Sequence, residues 1–568
     1  MIKRDLGGDH HDAIFRPSPA DAGDCHQGGR EPWLLVALPE IPSGKIYGES
    51  AKSDAEAAFA ALQGEAFALP DHPENARIGA EISPWGPALA ISYPAAPVDD
   101  LVAASLAASS AWAEAAIETR VGICLEILAR LNRQSFLMAH ATMHTTGQAF
   151  AMAFQAGGPH AQDRALEAVA LAYAEMTRFA PRADWIKPQG KAAPLEIEKH
   201  WTILPRGISL AIGCNTFPTW NSYSGIFASL ATGNTVIVKP HPAAILPLAL
   251  TVRVAREVLA EAGLPADVIL LAADRADAPL AKDLVTRPEV ALIDYTGSNA
   301  FGDWVRANAG RAAVFTEEAG INTVTLAATE DFNAVCANLA FSLALYSGQM
   351  CTAPQNIYIP AEGIETDQGH KSFDEVAAGI RAAIEALLAD PAQASGICGT
   401  IANPATLQRV AEARGLGKII RDSAPLASGR SATPLLLAVN EDDRATYEQE
   451  RFGPIAFLIR MRDADTAITK AADLARSKGA ITAALYDTDE ARISRAIRAF
   501  AGAGVNLSIN LTGNIFVNQS AAFSDFHVTG ANPAGNASLT DTAFVANRFH
   551  RVMWRRPISD RTAASGAN

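Results

Sequence analysis

The chain has few cysteines for its length, and they follow no pattern. Six cysteines occur in 568 residues, at positions 25, 124, 214, 336, 351 and 398. Such sparse and irregular spacing indicates neither a disulfide framework nor a CxxC metal site, and it suits a reducing cytosol. We therefore expect a cytoplasmic protein without a bound metal.

Long apolar runs and excess positive charge are also absent. No stretch stays apolar and uncharged over the length that a membrane-spanning helix needs. The first residues, MIKRDLGGDHHDAIF, have acids and histidines where a secretory signal has an apolar run. The chain has 47 Lys and Arg and 61 Asp and Glu, which gives a net charge of -14. A negative protein repels phosphate backbones and anionic lipids. We expect a soluble protein that binds neither nucleic acid nor membranes.

What the sequence does contain is a globular composition, 49% apolar and 19% charged, in a chain long enough for two or three domains. The first 45 or so residues show no periodicity and are interpreted as an extension. Residues 54–62 and 102–131 are Ala-rich with helical spacing of their apolar positions, which predicts an N-terminal helical layer.

After residue 202 short β-branched runs alternate with amphipathic helices. The runs GISLAIG, TVIVKP, DVILLA, VALIDYTGS and AAVFTEE predict strands, with helices near 219–231 and 246–262. This alternation indicates βαβ units and a parallel sheet, in which nucleotides bind beyond the carboxyl ends of the strands. A second mixed region, 319–520, contains the predicted strands NIYIP and IAFLI and is consistent with another α/β domain.

Cys351 lies on a predicted turn between two regular elements. Residues 335–346 have the pattern of a helix, residues 347–350 break it, and CTAPQ leads into a strand. A turn of this kind can present a thiolate to a cleft. Cys336 falls inside the predicted helix, where a cysteine is usually a small buried hydrophobe. Without further context, Cys351 admits the same interpretation.

The surroundings of Cys351 supply that context. SGQMCTAPQ resembles, nearly residue for residue, the nucleophile motif of the aldehyde dehydrogenase family. Other motifs follow in that family's order across residues 200–460: Lys239 with Pro240 after TVIV, Gly297 with Ser298 in YTGSNAFG, Glu317 in FTEEAGIN, and Glu450 with Phe452 in QERFGP. Glu317 precedes Cys351 by the family's usual 34 residues, which favours it over Glu318.

The resemblance implies an α/β fold of the aldehyde dehydrogenase type. It joins a Rossmann-type parallel-sheet cofactor domain to a second α/β catalytic domain and a small bridging strand element, through which members form homodimers or homotetramers. The division it predicts is an extension (1–45), a dinucleotide-binding domain (46–185 and 205–318), a catalytic domain (319–520), and an oligomerisation element with a tail (186–204 and 540–568).

The resemblance also implies roles that chemistry supports. A thiolate of Cys351 adding to an aldehyde creates the tetrahedral centre from which hydride can leave, and a thioester results. Glu317, with a pKa raised by a dry site, would activate the hydrolytic water. The turn at Gly297 and Ser298 would approach the cofactor diphosphate. Lys239 would reach the adenosine ribose, and Glu450 with Phe452 would hold the nicotinamide end.

Two positions depart from the family's pattern. The oxyanion hole needs the Cys351 backbone N–H and a side-chain amide, and the family places that asparagine two residues before Pro218. This chain has Thr216 there, with Asn215 displaced by one. We take Asn215 as the candidate and keep Thr216 as the alternative. Pro242 stands where a glutamate often favours NAD, so NAD and NADP both remain candidates.

Outside these motifs, texts such as SGKIYGESAKSDAEAAF and FSDFHVTGANPAGNASL resemble the PaaN-type branch of phenylacetic acid degradation. There an aldehyde dehydrogenase oxidises a ring-opened, CoA-linked semialdehyde, so the expected partner is a small aldehyde with or without a CoA moiety. KPHPAA is similar to CoA-acylating relatives, which lack the general-base glutamate. A CoA-acylating enzyme and an inactive scaffold of the same fold are the alternatives.

Overall fold

The computed structural model describes residues 38–318, 320–513, 515–516, 522–523, 525–538 and 541–558. Most of the predicted extension (1–45) and the end of the predicted tail (540–568) lie outside these residues. Across the described residues, no helix combines the length and apolarity needed to cross a bilayer.

Helices dominate the N-terminal part, as the Ala-rich periodicity predicts. The predicted stretch 102–131 is two helices and not one, because Ala115 and Ala116 have extended backbones between them. The elements in order are α1 (Gly44–Tyr47), α2 (Ala51–Leu62), β1 (Ala76–Ile78), β2 (Tyr93–Ala95), α3 (Val98–Glu114), α4 (Ile117–Arg133), α5 (Ser135–Thr146), α6 (Phe150–Gly157) and α7 (Pro159–Thr177).

A five-stranded parallel sheet follows. Its β-branched strands are buried on both faces, which explains their continuous apolar runs. The elements are β5 (Ile208–Ile212), α8 (Pro218–Ala231), β6 (Thr235–Lys239), α9 (Leu246–Glu261), β7 (Ile269–Leu271), α10 (Ala281–Val285), β8 (Val290–Gly297), α11 (Asn299–Asn308) and β9 (Ala313–Glu318). The strand order is β7-β6-β5-β8-β9, so the chain adds β6 and β7 on one side of β5 and then β8 and β9 on the other. Ligands bind in such sheets at the point where the strand order switches sides.

A second, seven-stranded sheet has the order β15-β16-β17-β12-β10-β18-β19 and is parallel except for β15. The elements of this region are β10 (Asn322–Leu326), β11 (Ala328–Thr329), α12 (Phe332–Ala344), β12 (Pro354–Pro360), β13 (Ile364–Thr366), β14 (Gly369–Lys371), α13 (Phe373–Leu387), α14 (Pro391–Cys398), α15 (Ala405–Ala413), β15 (Lys418–Arg421), β16 (Leu435–Asn440), α16 (Arg444–Tyr447), β17 (Ile455–Met461), α17 (Ala464–Lys478), β18 (Thr482–Tyr486), α18 (Glu490–Ala503) and β19 (Asn506–Ile509). Of these, β11, β13 and β14 pair only with one another and not with the seven strands.

A third sheet stands apart from these two. It contains β3 (Arg182–Gln189), β4 (Ala192–Pro205) and, after the short helix α19 (Thr542–Ala546), the last strand β20 (Phe549–Pro557). The order is β20-β4-β3, all antiparallel. β3 is exposed along its whole length. The sheet therefore joins two parts of the chain that are far apart in sequence and leaves apolar side chains in solvent.

Between β19 and α19 the chain returns to the first sheet. Gly535 forms an isolated bridge with Glu317 of β9, and the backbone N–H of Glu318 donates to the carbonyl of Ala534 at 2.6 Å. The amide of Asn536 also binds β9, accepting from Thr316 at 2.7 Å. This C-terminal crossing places residues 525–536 beside the end of β9.

Candidate active site

Buried hydrogen bonds hold the turn that carries Cys351. α12 ends at Ala344, and Tyr346 and Ser347 follow with left-handed φ values of 50° and 51°. Such angles are uncommon for residues with side chains. The Ser347 hydroxyl donates to two carbonyls, at 3.1 and 2.8 Å, which stabilises the turn. The predicted helix thus ends before residue 346, because the chain reverses there to bring Cys351 to a cavity.

Cys351 lines a cavity of about 430 Å³. The wall is mainly aromatic and aliphatic. Its large apolar members are Met152, Phe217, Trp220, Phe341, Ile397 and Phe516. Among the described residues of the wall there is no lysine or arginine. The described wall therefore offers mainly apolar contacts to a bound molecule.

Three polar groups surround Cys351. Nε2 of His527 lies 3.7 Å from Sγ of Cys351 and 3.1 Å from Oε1 of Glu317. The Asn221 amide donates to the other Glu317 oxygen at 2.9 Å. The reactive atoms of Glu317, Cys351 and His527 all lie within 4.8 Å of one another. Thiol, imidazole and carboxylate are ligand types that zinc accepts, but hydrogen bonds already account for their arrangement here.

This arrangement controls the ionisation of both acids. Burial acts to raise the pKa of Glu317, but electrostatic attraction to His527 and hydrogen bonds from His527, Cys351 and Asn221 outweigh it, so the pKa lies below its usual value. The raised pKa expected from a dry site is therefore wrong. Burial, and then the charge of Glu317, raise the pKa of the Cys351 thiol well above its usual value. The resting pair is a carboxylate beside a thiol.

Glu317 and Glu318 are neighbours in β9 with different partners. Both are buried, at 1% and 2% exposure. Successive side chains of a strand point to opposite faces, and Glu318 pairs with Arg306 on α11. The fold thus brings Glu317 to Cys351, as the spacing predicts, and gives Glu318 a separate ion pair.

The segment that carries His527 is anchored to α7. Arg164 donates to the carbonyl of Asp525 at 3.2 Å, and the carboxylate of Glu167 accepts a backbone N–H of the same segment at 3.0 Å. Arg164 and Glu167 themselves form a buried ion pair. The Trp220 ring packs edge-on against His527 with centroids 4.5 Å apart. The imidazole is therefore held in place from two sides.

The turn before α8 does not bring Asn215 to the cavity wall. Phe217 lines the cavity, whereas Asn215 and Thr216 do not. Oδ1 of Asn215 is buried without a hydrogen-bond partner, and the Thr216 hydroxyl lies 4.0 Å from Sγ of Cys214. The side-chain amide on the wall belongs to Asn221. The reason is that α8 begins at residue 218, and its first turn directs Asn221 inward.

Predicted cofactor residues gather at the carboxyl edge of the first sheet. Lys239 ends β6 and Gly297 ends β8. A Cβ on Gly297 would lie 2.4 Å from the Tyr295 hydroxyl oxygen, so any larger residue would require Tyr295 to shift. Ser298 precedes α11 without capping it, which leaves N–H groups of the first turn for an anion. Lys239 pairs with buried Asp274 at 2.7 Å. These features fit the diphosphate and ribose of a dinucleotide.

Glu450 and Phe452 lie in a loop that Gln355 fixes. The Gln355 side chain donates to the backbone carbonyl before Glu450 at 3.0 Å and accepts from the backbone N–H after it at 2.7 Å. Cys351, Glu450 and Phe452 line the same small cleft. The nucleophile motif thus also positions the loop expected to hold the nicotinamide end.

Sequence reasoning missed three residues of these sites: His527, Asn221 and Asp274. His527 stands in FSDFHVTG, a text outside the common motifs, and its position there was the available signal. Asn221 lies in TWNSY on an amphipathic helix, where polar residues are usually solvated. Asp274 follows a buried strand in AADRAD, next to further charged residues. None of the three could be selected without the fold.

The two parallel sheets, with a cysteine on a turn between them, define an α/β enzyme that combines a dinucleotide edge with a covalent nucleophile. The profile of the Aldehyde dehydrogenase family matches residues 89–535. The chain belongs to this family.

Individual relatives agree. The chain is 29% identical over 415 residues to the N-succinylglutamate 5-semialdehyde dehydrogenase of Burkholderia pseudomallei, covering 71% of this chain and 79% of that protein. The crystal structure of an NAD-dependent aldehyde dehydrogenase from Burkholderia multivorans has 50% identity and a TM-score of 0.95, covering 97% and 100% of the two chains. An NADP-dependent glyceraldehyde-3-phosphate dehydrogenase from Bacillus halodurans complexed with NADP shares the fold at 19% identity, with a TM-score of 0.65 over 85% and 96% of the two chains.

Proposed function

We propose that this chain catalyses the NAD(P)-dependent oxidation of an aldehyde to a carboxylic acid through a thioester on Cys351. The observation that carries the proposal is the contact of a cavity-lining cysteine with a buried, ionised carboxylate, Glu317. This pair provides a nucleophile and a base side by side at the cavity wall.

The protein groups act in the following order. Glu317 accepts the proton of the Cys351 thiol, the sulfur bonds to the aldehyde carbon, and the carbonyl pair moves to oxygen. A nicotinamide cofactor, when bound, would supply the acceptor for the hydride of that carbon, and loss of the hydride leaves Cys351 as a thioester. Once Glu317 has released its proton to solvent, it accepts a proton from water, whose oxygen attacks the thioester. The carbon–sulfur bond breaks and Cys351 leaves as the thiolate.

The cofactor is held at its two ends. The first turn of α11 after Gly297 and Ser298 binds the diphosphate, and Lys239 binds the adenosine ribose. Glu450 and Phe452 hold the nicotinamide end in the cleft that also contains Cys351. Both NAD and NADP are candidates.

For the substrate, we propose a CoA-linked semialdehyde of phenylacetate catabolism, by resemblance to the PaaN-type branch. An uncharged acyl chain fits the apolar wall, with the CoA moiety remaining outside. The described wall offers no cation for a dicarboxylate such as the substrate in the relatives' name. Steady-state kinetics with uncharged and dianionic semialdehydes tests this choice. A higher kcat/KM for the dianionic aldehyde contradicts it.

The acyl acceptor separates this function from the CoA-acylating alternative. With Glu317 in contact with Cys351, the thioester is hydrolysed, so aldehyde turnover to free acid continues in buffer without added CoA. Cofactor reduction at 340 nm follows turnover, and mass spectrometry identifies the newly oxidised end. Turnover that requires added CoA and yields a new thioester at that end overturns hydrolysis. Absence of turnover with any aldehyde supports the inactive scaffold.

We also propose a cytoplasmic homodimer or homotetramer assembled through the β20-β4-β3 sheet. This sheet exposes Trp185, Ile186, Val552 and Trp554 at 38%, 58%, 50% and 46%. Exposed apolar clusters of this kind mark association surfaces. Light scattering after gel filtration measures the mass, and Val552→Glu, which adds charge to the sheet, is expected to lower it. A measured mass of 59.8 kDa for the wild-type protein, which is the mass of one chain, contradicts the proposal.

A further inference from the structure

The proposed reaction needs a side-chain donor that the turn before α8 does not supply. Addition of sulfur to the aldehyde places negative charge on the carbonyl oxygen, and donors aimed at that position account for a large part of such catalysis. Asn215 and Thr216 are both outside the cavity wall. Near Cys351 the wall carries the Asn221 amide, which already donates to Glu317 at 2.9 Å, and the His527 imidazole.

We propose that His527 is a catalytic residue that donates from Nε2 to the oxyanion formed at Cys351. Nε2 lies 3.7 Å from Sγ, and His527 lines the cavity. The oxyanion is bonded to the same carbon that Sγ attacks, so a donor in contact with Sγ also reaches that oxygen. This inference rests on the proposed function.

The contacts of His527 identify which nitrogen carries the proton. Nε2 lies 3.1 Å from Oε1 of Glu317. An ionised carboxylate only accepts hydrogen bonds, so the proton of a neutral ring belongs on Nε2. Nδ1 is buried and has no hydrogen-bond partner. An N–H at this position would be an unsatisfied buried donor, which costs more free energy than an unpaired lone pair. His527 is therefore a donor from Nε2 at the reacting centre.

The same hydrogen bond connects the two halves of the reaction. In the resting site, Glu317 accepts from His527 on one oxygen and from Asn221 on the other. Once Glu317 has accepted the thiol proton, its oxygen is a weaker acceptor, and the Nε2–H, fixed in the ring plane, is shared with the substrate oxygen as negative charge develops there. Asn221 still orients Glu317 for the later hydrolysis.

The surroundings restrict His527 to this position. The Trp220 ring packs on the imidazole, and Arg164 and Glu167 bind the backbone of its segment. A donor contributes to transition-state stabilisation only when its orientation is fixed before the reaction. A catalytic role for His527 accounts for this buried ion pair on α7.

Three substitutions of His527 test the proposal. His527→Gln places an amide N–H near Nε2, His527→Asn places it near Nδ1, and His527→Ala removes the donor. We expect kcat and the rate of the first cofactor reduction to fall by about 100-fold or more in the Ala and Asn variants, with Gln within about tenfold of wild type. His370→Ala, on the exposed strand β14, is the surface control and is expected to match wild type.

Two further readouts distinguish the donor from other roles. Stoichiometric alkylation of Cys351 by iodoacetamide in each variant reports an intact site without turnover. A donor role moves no proton to or from the solution, so the variants are expected to keep the wild-type pH profile from pH 6 to 9. Equal loss in Gln and Ala, together with disappearance of an acid limb, overturns the donor role in favour of proton acceptance.

A comparison of His527→Ala with Asn215→Ala, in the turn before α8, completes the test. A larger loss in Asn215→Ala than in His527→Ala overturns the inference, as does full activity of His527→Ala. In both cases wild-type dehydrogenase activity remains, so the proposed function stands. A wild-type protein that oxidises no aldehyde overturns the proposed function itself.

Discussion

Replacing Glu317 by glutamine removes a charge and one acceptor from the centre of the site. The two carboxylate oxygens accept from different donors, His527 at 3.1 Å and Asn221 at 2.9 Å. Glutamine has one oxygen and one NH2 group, so its NH2 group would face one of these two donors. That contact would then have two hydrogen-bond donors and no acceptor. The neighbouring Glu318→Gln is a matched control, since that residue is equally buried but pairs with Arg306.

The expected magnitudes follow from these contacts. Loss of a general base slows the step it serves by about 10²- to 10⁴-fold, so deacylation falls by this factor. Removing the negative charge lowers the pKa of Cys351, which burial and Glu317 together hold high. Burial still raises the pKa in this variant, so acylation can proceed from the larger thiolate fraction at alkaline pH. The mismatched donor destabilises the fold by about 1–3 kcal/mol.

Stopped-flow measurement of cofactor reduction separates the two steps. Glu317→Gln is expected to give a burst of about one reduced cofactor per active site and then a slow steady state. Mass spectrometry of the quenched burst should find the acyl group on the tryptic peptide that contains Cys351. Glu318→Gln should keep the wild-type steady state and lose only stability.

Two results would refute this reasoning. A Glu317→Gln variant with a wild-type steady state would show that another group activates water. A variant without a burst, but with Cys351 still alkylated by iodoacetamide, would show that the lower pKa of Cys351 does not replace proton transfer to Glu317 before hydride transfer. The first result refutes Glu317 as the hydrolytic base, and the second refutes a slow steady state that is set by deacylation alone.

Three other outcomes are expected. Cys351→Ala abolishes aldehyde turnover in a spectrophotometric assay, whereas Cys336→Ala, a change on the buried face of α12, leaves kcat unchanged. Aldehyde oxidation by Cys351→Ala contradicts the assignment of Cys351 as the nucleophile. Alkylation of wild-type Cys351 by iodoacetamide keeps accelerating above pH 9, because the pKa is raised, and a plateau below pH 8 is inconsistent with this. Asp274→Asn frees Lys239 from its buried ion-pair partner, so Lys239 can bind the extra phosphate of NADP. Because a charge-assisted hydrogen bond contributes about 1.5–3 kcal/mol, kcat/KM for NADP is expected to rise relative to that for NAD by about tenfold or more. An unchanged ratio of the two kcat/KM values refutes this.

The order of local elements followed from the sequence. The β-branched runs around Lys239 and Gly297 are strands in the structure, and the turn at Cys351 falls between a helix and a strand as predicted. These predictions succeed because a buried parallel strand needs a continuous apolar run, and a chain reversal needs residues that interrupt helical periodicity. The 34-residue spacing between Glu317 and Cys351, in two different motifs, also favoured Glu317 over Glu318.

Only the tertiary structure decided which polar groups surround the nucleophile. His527 is 176 residues from Cys351, and Asn221 is 96 residues from Glu317. No local pattern encodes such contacts, because they depend on how β9 pairs with the C-terminal segment and on the residue at which α8 begins. The direction of the Glu317 pKa shift has the same origin: sequence reasoning anticipated burial, which raises the pKa, but the lowering effect of His527 exists only after the chain has folded.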